Sequence, residues 1–352
     1  MKKAVFYCNI NDMKYRIITF GCQMNKSDSE RIATVLENMK YKLASDINEA
    51  DLIVVNMCSV RQSAVDRVFG LIPKFQKLKT KNEKLKTILT GCILKEDKRK
   101  FEKSFDQVLK FKDLLEYQPK YQNKLTAFIP ISNGCNNFCA YCVVPFARGS
   151  LVCRDHEEIL KETKNAIKQG FKEIWLLGQN VNDYQSPTDS LINFAKLLKM
   201  IDGIEGDFKL FFTSPHPKDF SEELIDTLAE CEKFGKYLNL PVQSGDNEIL
   251  KRMNRSYTVK EYKKLVKKIR KKIPDIKLST DVIVGFPGET EKQFQNTVKL
   301  FKEIKFNWAY IAKYSPRSGT AAFRLEDVIP LVEKKRREKI LREILQKPCQ
   351  KS

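Results

Sequence analysis

Histidine is nearly missing from this chain, with two in 352 residues. A metal site built from several imidazoles is thereby excluded. Proton-transfer chemistry at histidine has only His156 and His216 to draw on, and no sequence feature places either beside a nucleophile. No apolar run approaches the ~20 residues of a membrane-spanning helix, so no such span and no membrane partner are expected. Met1 to Met13 holds two lysines but neither a long apolar stretch nor a small-residue cleavage site, so no signal peptide is read. Without an export signal the chain is expected to be cytoplasmic, where its ten cysteines stay reduced. Structural disulfides are therefore not expected, and cysteines at special positions point to metal or catalysis. Internal repeats and low-complexity tracts are absent as well, which excludes a repeat architecture.

The length permits two or three domains with their own cores. Lysine and arginine number 64 against 44 acidic residues, a formal net charge of +20. Such a field attracts polyanions, RNA foremost. Lysine-rich codon usage accounts for the excess equally well, because much of it lies on ordinary helical faces such as Lys263 to Lys272. Charge alone does not establish RNA binding.

Strand and helix patterns alternate along the first third. Tyr15 to Gly21 reads as a strand. Ser27 to Met39 reads as a helix with Ser27 as its N-cap and Glu30 three residues on. Asp51 to Asn56 is a second strand, Val60 to Lys79 a helix and Lys86 to Thr90 a third strand. This βαβαβ order predicts a parallel, Rossmann-like sheet with crossover helices. Lys110 to Lys124, polar and without a strong period, reads as a linker. From Thr126 the alternation restarts. Strands are expected at Ala127–Ser132, Glu173–Leu177, Lys209–Phe212, Tyr237–Leu240, Lys277–Val284 and Trp308–Lys313. Helices are expected between them at Glu157–Gln169, Leu191–Ile201, Glu222–Cys231, Val259–Lys272 and Glu291–Ile304. Six βα units predict an α/β fold with a partial (β/α)6 barrel, the alternative being an open doubly wound sheet. Val332 to Gln346 is a very basic helix. Domains are accordingly expected at 14–120, 121–325 and 326–352.

Cys135, Cys139 and Cys142 form a C-x3-C-x2-C run directly after a strand. Three thiolates so close can wrap one iron–sulfur cluster from a single loop. Three ligands leave one iron of a [4Fe–4S] cluster open to a small molecule. That is the arrangement needed to hold S-adenosylmethionine (SAM) and pass it one electron, the radical chemistry belonging to the cofactor. A zinc site would want a fourth Cys or His at a suitable spacing, and His156 lies fourteen residues beyond Cys142.

Cys22, Cys58 and Cys92 look unrelated until they are placed on the predicted sheet, where each follows a strand. The carboxyl ends of parallel strands line one edge, where ligands bind, so these three thiols are expected to converge. Gly21 and Gly91 permit tight backbone approach beside them. Three buried core cysteines are the plainer reading, but equivalent strand ends favour a second three-thiolate cluster whose open iron carries sulfur. Cys8, Cys231 and Cys349 receive no role.

These residues carry a resemblance. Thr19-Phe-Gly-Cys-Gln-Met-Asn25, Asn56-Met-Cys-Ser-Val-Arg61, Gly91-Cys92, Gly134 through Cys142, Leu177-Gly-Gln-Asn-Val-Asn182, Thr213-Ser-Pro-His-Pro217, Leu240-Pro-Val-Gln-Ser-Gly245 and Asp281 through Thr290 resemble the radical SAM methylthiotransferases. They resemble in particular the MiaB-type branch that modifies tRNA. The resemblance covers nearly the whole chain, in order. It implies two [4Fe–4S] clusters and SAM as both radical source and methyl donor. The Cys135, Cys139 and Cys142 cluster would bind SAM. The radical would take hydrogen from C2 of N6-isopentenyladenosine next to the anticodon, and the Cys22, Cys58 and Cys92 cluster would supply methylated sulfur. Both clusters are then expected to face one cavity. The implied partners are tRNA, a sulfur donor and an electron donor such as flavodoxin or ferredoxin. SAM or substrate contacts are expected at Asn180, Ser214, Gln243 and Asp281, with Gly285 to Gly288 as a turn nearby.

Two departures stand out. Family members normally end in a small RNA-gripping β-barrel called TRAM, and this sequence ends with a basic helix and tail over 326–352. Cys153 occupies a position where the family often has Ser. The alternatives are a methylthiotransferase for another modified adenosine or a ribosomal protein, or a non-catalytic RNA-binding metal-cluster protein.

Overall fold

In the computed structural model, which describes residues 12–111 and 113–346, the chain divides into two units with the boundary between Lys124 and Leu125. Cys8 and Cys349 lie outside the described residues.

The first unit holds β1 (Lys14–Phe20), α1 (Gln23–Asn38), β2 (Lys42–Leu43), β3 (Leu52–Cys58), α2 (Gln62–Lys81), β4 (Lys86–Cys92), α3 (Lys95–Phe101) and β5 (Gln107–Val108). The strands pair in parallel in the order β2-β1-β3-β4-β5. Every residue of the central strand β3 is buried, as its continuous apolar run demands when both faces of a sheet are covered. On one face Ile53, Val55 and Met57 pack with Val65, Val68 and Phe75 of α2. On the other, Tyr15, Val54 and Ile88 pack with Ile32 and Leu36 of α1.

Two expectations change here. Helix α1 starts four residues before Ser27, with Cys22 as its N-cap. The Asn25 side chain accepts from the Cys22 N–H at 3.3 Å and so satisfies the helix start. Ser27 is buried inside the helix, its hydroxyl accepting from Arg31 at 2.6 Å. The polar stretch read as a linker is docked on α1. Lys120 N–H donates to Glu30 O at 3.0 Å, Gln122 N–H to the Glu30 carboxylate at 3.1 Å, and the Thr34 hydroxyl to Gln118 O at 2.7 Å.

The second unit begins with β6 (Thr126–Pro130), β7 (Ser132–Asn133), α4 (Val144–Arg148), β8 (Val152–Cys153) and α5 (His156–Lys168). It continues through β9 (Glu173–Leu177), α6 (Phe194–Asp202), β10 (Lys209–Phe212), α7 (Glu222–Glu230), β11 (Tyr237–Asn239), α8 (Asn247–Arg252) and α9 (Val259–Lys272). It closes with β12 (Lys277–Val284), α10 (Glu291–Ile304), β13 (Trp308–Lys313) and α11 (Leu331–Gln346). Parallel sheets β6-β9-β10 and β11-β12-β13 are joined where Leu210 bridges to Phe234. The strands thus follow one another in chain order, as in a barrel, whereas a doubly wound sheet would reverse direction. Among the described residues β6 and β13 each pair on one side only, so the barrel is partial.

Alternate residues face the helices, including Ile174, Leu176, Leu210, Phe212, Leu278 and Val282, all buried. The opposite face carries an aromatic ladder across both sheets. Phe211 stacks on Trp175 at 4.7 Å, Trp175 meets Tyr237 at 6.0 Å, and Tyr237 stacks on Trp308 at 4.9 Å.

Helix α11, expected to stand apart in a segment 326–352, packs within this unit. Arg337 donates to Glu289 Oε2 at 2.7 Å, and that same oxygen accepts from the Gly285 N–H at 2.7 Å. Lys334 donates to Asp327 at 2.6 Å and to Tyr314 O at 3.2 Å. Both cations are buried, and Arg337 pins the Gly285 to Thr290 turn.

Candidate functional site

The Cys135 to Cys142 loop follows the first barrel strand. Gly134 opens it at φ +85°, where a Cβ would overlap Ser150 O. The Gly134 N–H donates to Gln179 Oε1 at 2.5 Å, tying this loop to the one after β9. Phe138 sits in the left-handed region at φ 45°, a strained conformation for a bulky residue. Each of the three sulfurs meets a donor. Asn137 N–H hydrogen-bonds to the Cys135 sulfur, Val144 N–H to that of Cys142, and the Arg255 guanidinium donates to Cys139 Sγ at 3.5 Å. Burial nevertheless pushes the Cys142 thiol up to about 12 and raises Cys135. Metal binding would release the protons of these thiols, and donors aimed at sulfur are what a thiolate-held cluster uses. The residues present fit an iron–sulfur cluster.

The second trio lies within the first unit. Cys58 and Cys92 are the last residues of β3 and β4 and are paired in register. Cys22 caps α1 just beyond β1. Asn25 joins them, its Oδ1 accepting from Cys22 Sγ at 3.5 Å and its Nδ2 lying 3.9 Å from Cys92 Sγ. Asn25 is itself held by Asn56 at 2.9 Å, and Asn56 in turn donates to Ser29 at 2.9 Å. A Cβ on Gly21 would overlap Asn25 Oδ1, and one on Gly91 (φ +110°) would overlap Met57 O. Both glycines therefore serve close approach, as expected.

Three of the four expected SAM contacts follow neighbouring strands. Asn180, after β9, is fully buried; its Nδ2 donates to Asp219 at 2.8 Å and its Oδ1 has no partner. Such an orphaned buried acceptor suits a bound polar ligand. Ser214, after β10, is exposed and lies at φ 56°; Gln243, after β11, lies at φ 68°. Asn182 and the His216 backbone exchange two hydrogen bonds, at 2.7 and 2.9 Å, and so lock the Asn180 and Ser214 loops together. Asp281 is placed differently from the other three. It lies inside β12, not beyond its end, because β12 outruns β11. Its carboxylate accepts from Asn239 at 2.8 Å, and its backbone O accepts from Gln243 N–H at 2.8 Å. His216 is structural, as its Nδ1 accepts from Lys218 N–H at 3.2 Å.

Sequence reasoning missed Asn25 as a bridge and Arg255 altogether. Asn25 stands inside a quoted motif. Arg255 lies between α8, a six-residue helix too short to announce itself, and α9. Among the described residues no group of three or more His, Cys, Asp or Glu side chains stands close enough to hold a single metal ion.

A partial barrel with three thiols on the loop after its first strand defines the radical SAM class, and residues 129–301 match the radical SAM superfamily. Residues 14–111 match the uncharacterized protein family UPF0004. A tRNA-2-methylthio-N(6)-dimethylallyladenosine synthase from Clostridium novyi (strain NT) is 40% identical over 92% of this chain and 78% of its own length. One from Alkaliphilus oremlandii (strain OhILAs) is 41% identical over 97% and 79%. The chain belongs to this family of radical SAM methylthiotransferases. Among solved structures, the radical SAM methyltransferase TsrM from Kitasatospora setae superposes with a TM-score of 0.63 at 14% identity, over 89% of this chain and 75% of that one. At that identity the likeness concerns the fold.

Proposed function

We propose that this chain methylthiolates tRNA at C2 of N6-isopentenyladenosine (dimethylallyladenosine) next to the anticodon. The observation that carries the reading is the presence of two thiol trios in a chain 40% identical to synthases of that product. A single SAM-binding trio would serve many radical reactions. A second trio at the strand ends of a separate sheet supplies the place for sulfur.

Cys135, Cys139 and Cys142 would hold the SAM-binding [4Fe–4S] cluster, and Cys22, Cys58 and Cys92 the auxiliary one. When bound, these groups and SAM supply an electron, a 5′-deoxyadenosyl radical and a transferable sulfur. The chain's own residues do the placing. The Gln179 to Gly134 bond fixes the cluster loop against the loop after β9. Asn180 offers its unpartnered Oδ1 to a donor on SAM. Ser214 and Gln243, both in left-handed backbone, turn their loops over the barrel's carboxyl end. Asp281 stays with Asn239, orienting the Gln243 segment. A flavodoxin- or ferredoxin-type donor, a sulfur donor and tRNA complete the set of partners. The chain works in the cytoplasm, where these are found; no helix among the described residues is long and apolar enough to cross a membrane.

The test is nucleoside analysis of tRNA from a strain lacking this gene. Loss of 2-methylthio-N6-isopentenyladenosine, restored by the wild-type chain but not by a Cys92→Ala chain, is expected. Unchanged levels overturn the assignment. A change confined to another modified adenosine or to a ribosomal protein redirects it.

A further inference from the structure

Arg255 is 7% exposed, and burying a guanidinium is costly unless an anion faces it. The other buried cations of this unit have carboxylates: Arg154 with Glu162, Lys334 with Asp327, Arg337 with Glu289. Among the described residues Arg255 has none. Its Nε donates to Tyr257 Oη at 2.8 Å and its Nη2 to Pro241 O at 2.9 Å. Tyr257 is fixed in turn, its hydroxyl donating to Val242 O at 3.0 Å. These neutral acceptors set the plane of the fork. The remaining nitrogen, Nη1, is aimed at Cys139 Sγ, 3.5 Å away. His216 stands edge-on to Tyr257 at 5.8 Å between ring centroids and adds no anion.

We propose that Arg255 is the charge-compensating, positioning residue of the cluster held by Cys135, Cys139 and Cys142, and that its fixed cation sets the cluster's reduction potential. The proposal rests on the cluster assignment made above. A cluster bound by three thiolates is anionic, and one electron makes it more so. A cation and N–H donor beside one sulfur stabilises the reduced form more than the oxidised form, so the potential rises. This eases delivery of the electron from the external donor. Of the three sulfurs, Cys139 is the one the guanidinium hydrogen-bonds; Asn137 serves Cys135 through its backbone and side chain, and Cys142, bonded by the Val144 N–H, also feels the Arg255 charge.

The test uses the full chain with Cys22, Cys58 and Cys92 replaced by Ala, leaving one cluster. Arg255, Arg255→Lys and Arg255→Met forms are reconstituted anaerobically. Iron and sulfide are counted, and the midpoint potential is read by EPR-monitored redox titration without SAM. Arg255→Met is expected to shift the potential to more negative values, with Arg255→Lys recovering most of the shift. Should Arg255→Met hold no cluster, retention of iron by Arg255→Lys supports the same claim. Equal potentials in all three, or equal loss of iron from both variants, overturn it. A SAM affinity that falls in Arg255→Met while the potential stays put also overturns it, since Arg255 then serves SAM. Absence of a four-iron cluster from the Arg255 form would instead fault the cluster assignment. A potential shift without 2-methylthio product would fault only the substrate.

Discussion

Cys58 and Cys92 stand opposite one another as the final residues of two adjacent parallel strands, paired in register. Residues paired in this way project to the same side of a sheet, so the two sulfurs leave β3 and β4 together, and Cys22 on the next strand's exit completes the set. Replacing Cys22, Cys58 and Cys92 with Ala is expected to remove half of the iron and sulfide of the anaerobically prepared chain. Replacing Cys135, Cys139 and Cys142 removes the other half. A count that stays whole after either triple replacement refutes the partition.

Asn25 is the bridge of the first unit. Asn25→Ala removes the acceptor for Cys22 N–H and takes the donor from the buried Asn56 Oδ1, while Asn56 Nδ2 keeps Asn25 O and Ser29. Leaving a buried polar group unpaired costs about 1–3 kcal/mol, so urea unfolding of the metal-free chain shifts to lower denaturant. Iron retention by the first unit drops with it, measured in a chain whose Cys135, Cys139 and Cys142 are Ala. Unchanged unfolding and unchanged iron would show that Asn25 merely fills space.

Gly134 and Gly170 both have positive φ, +85° and +88°, but differ in their surroundings. A Cβ at Gly170 meets nothing within 4 Å, so Gly170→Ala costs only the backbone strain, about 1 kcal/mol. At Gly134 the added carbon overlaps a carbonyl oxygen of the paired Ser150 segment, and the cluster loop must shift. Iron bound by Cys135, Cys139 and Cys142 is expected to fall sharply in Gly134→Ala and to stay intact in Gly170→Ala. The iron content of the two variants decides.

His216 is buried and neutral, its imidazole held down to about 2 by desolvation, with Arg255 and Lys218 adding repulsion. The unfolded chain protonates this residue near 6.5 while the folded chain does not. Between those values the unfolded state binds the extra proton, so stability falls as pH drops, by about 1.4 kcal/mol per unit. His216→Gln is expected to be less stable at neutral pH yet to lose less on acidification from pH 6 to 4. Denaturant midpoints at the two pH values measure it, and parallel pH slopes would refute it.

The barrel was readable because its strands are short apolar runs separated by amphipathic helices: β9, β10, β12, β13, α9 and α10 begin and end where the alternation does. Cys135 to Cys142 announced itself by spacing. Cys22, Cys58 and Cys92 emerged only through their place on a predicted sheet. The rest depended on contacts that no local pattern encodes. Ser27 has the chemistry of a cap, but Asn25 and Cys22 satisfied the helix start first. The polar stretch after Lys110 lacked a period because it is held to α1 by scattered contacts, Phe111 and Leu114 on the apolar cluster and then hydrogen bonds made by the backbone of Gln118, Lys120 and Gln122. Arg255 gave no signal, since its partners Pro241, Tyr257 and Cys139 come from three segments. Ser214 and Gln243 were found by motif, yet their left-handed backbone was invisible beforehand.

The aromatic ladder has a practical outcome for optical work. The chain has two tryptophans, Trp175 and Trp308, and both are rungs of it. Indole fluorescence therefore reports on the barrel alone, with β9 and β13 as its two vantage points, and is blind to the sheet that carries Cys22, Cys58 and Cys92. Melting followed by emission and by far-ultraviolet dichroism will separate the two units without a label.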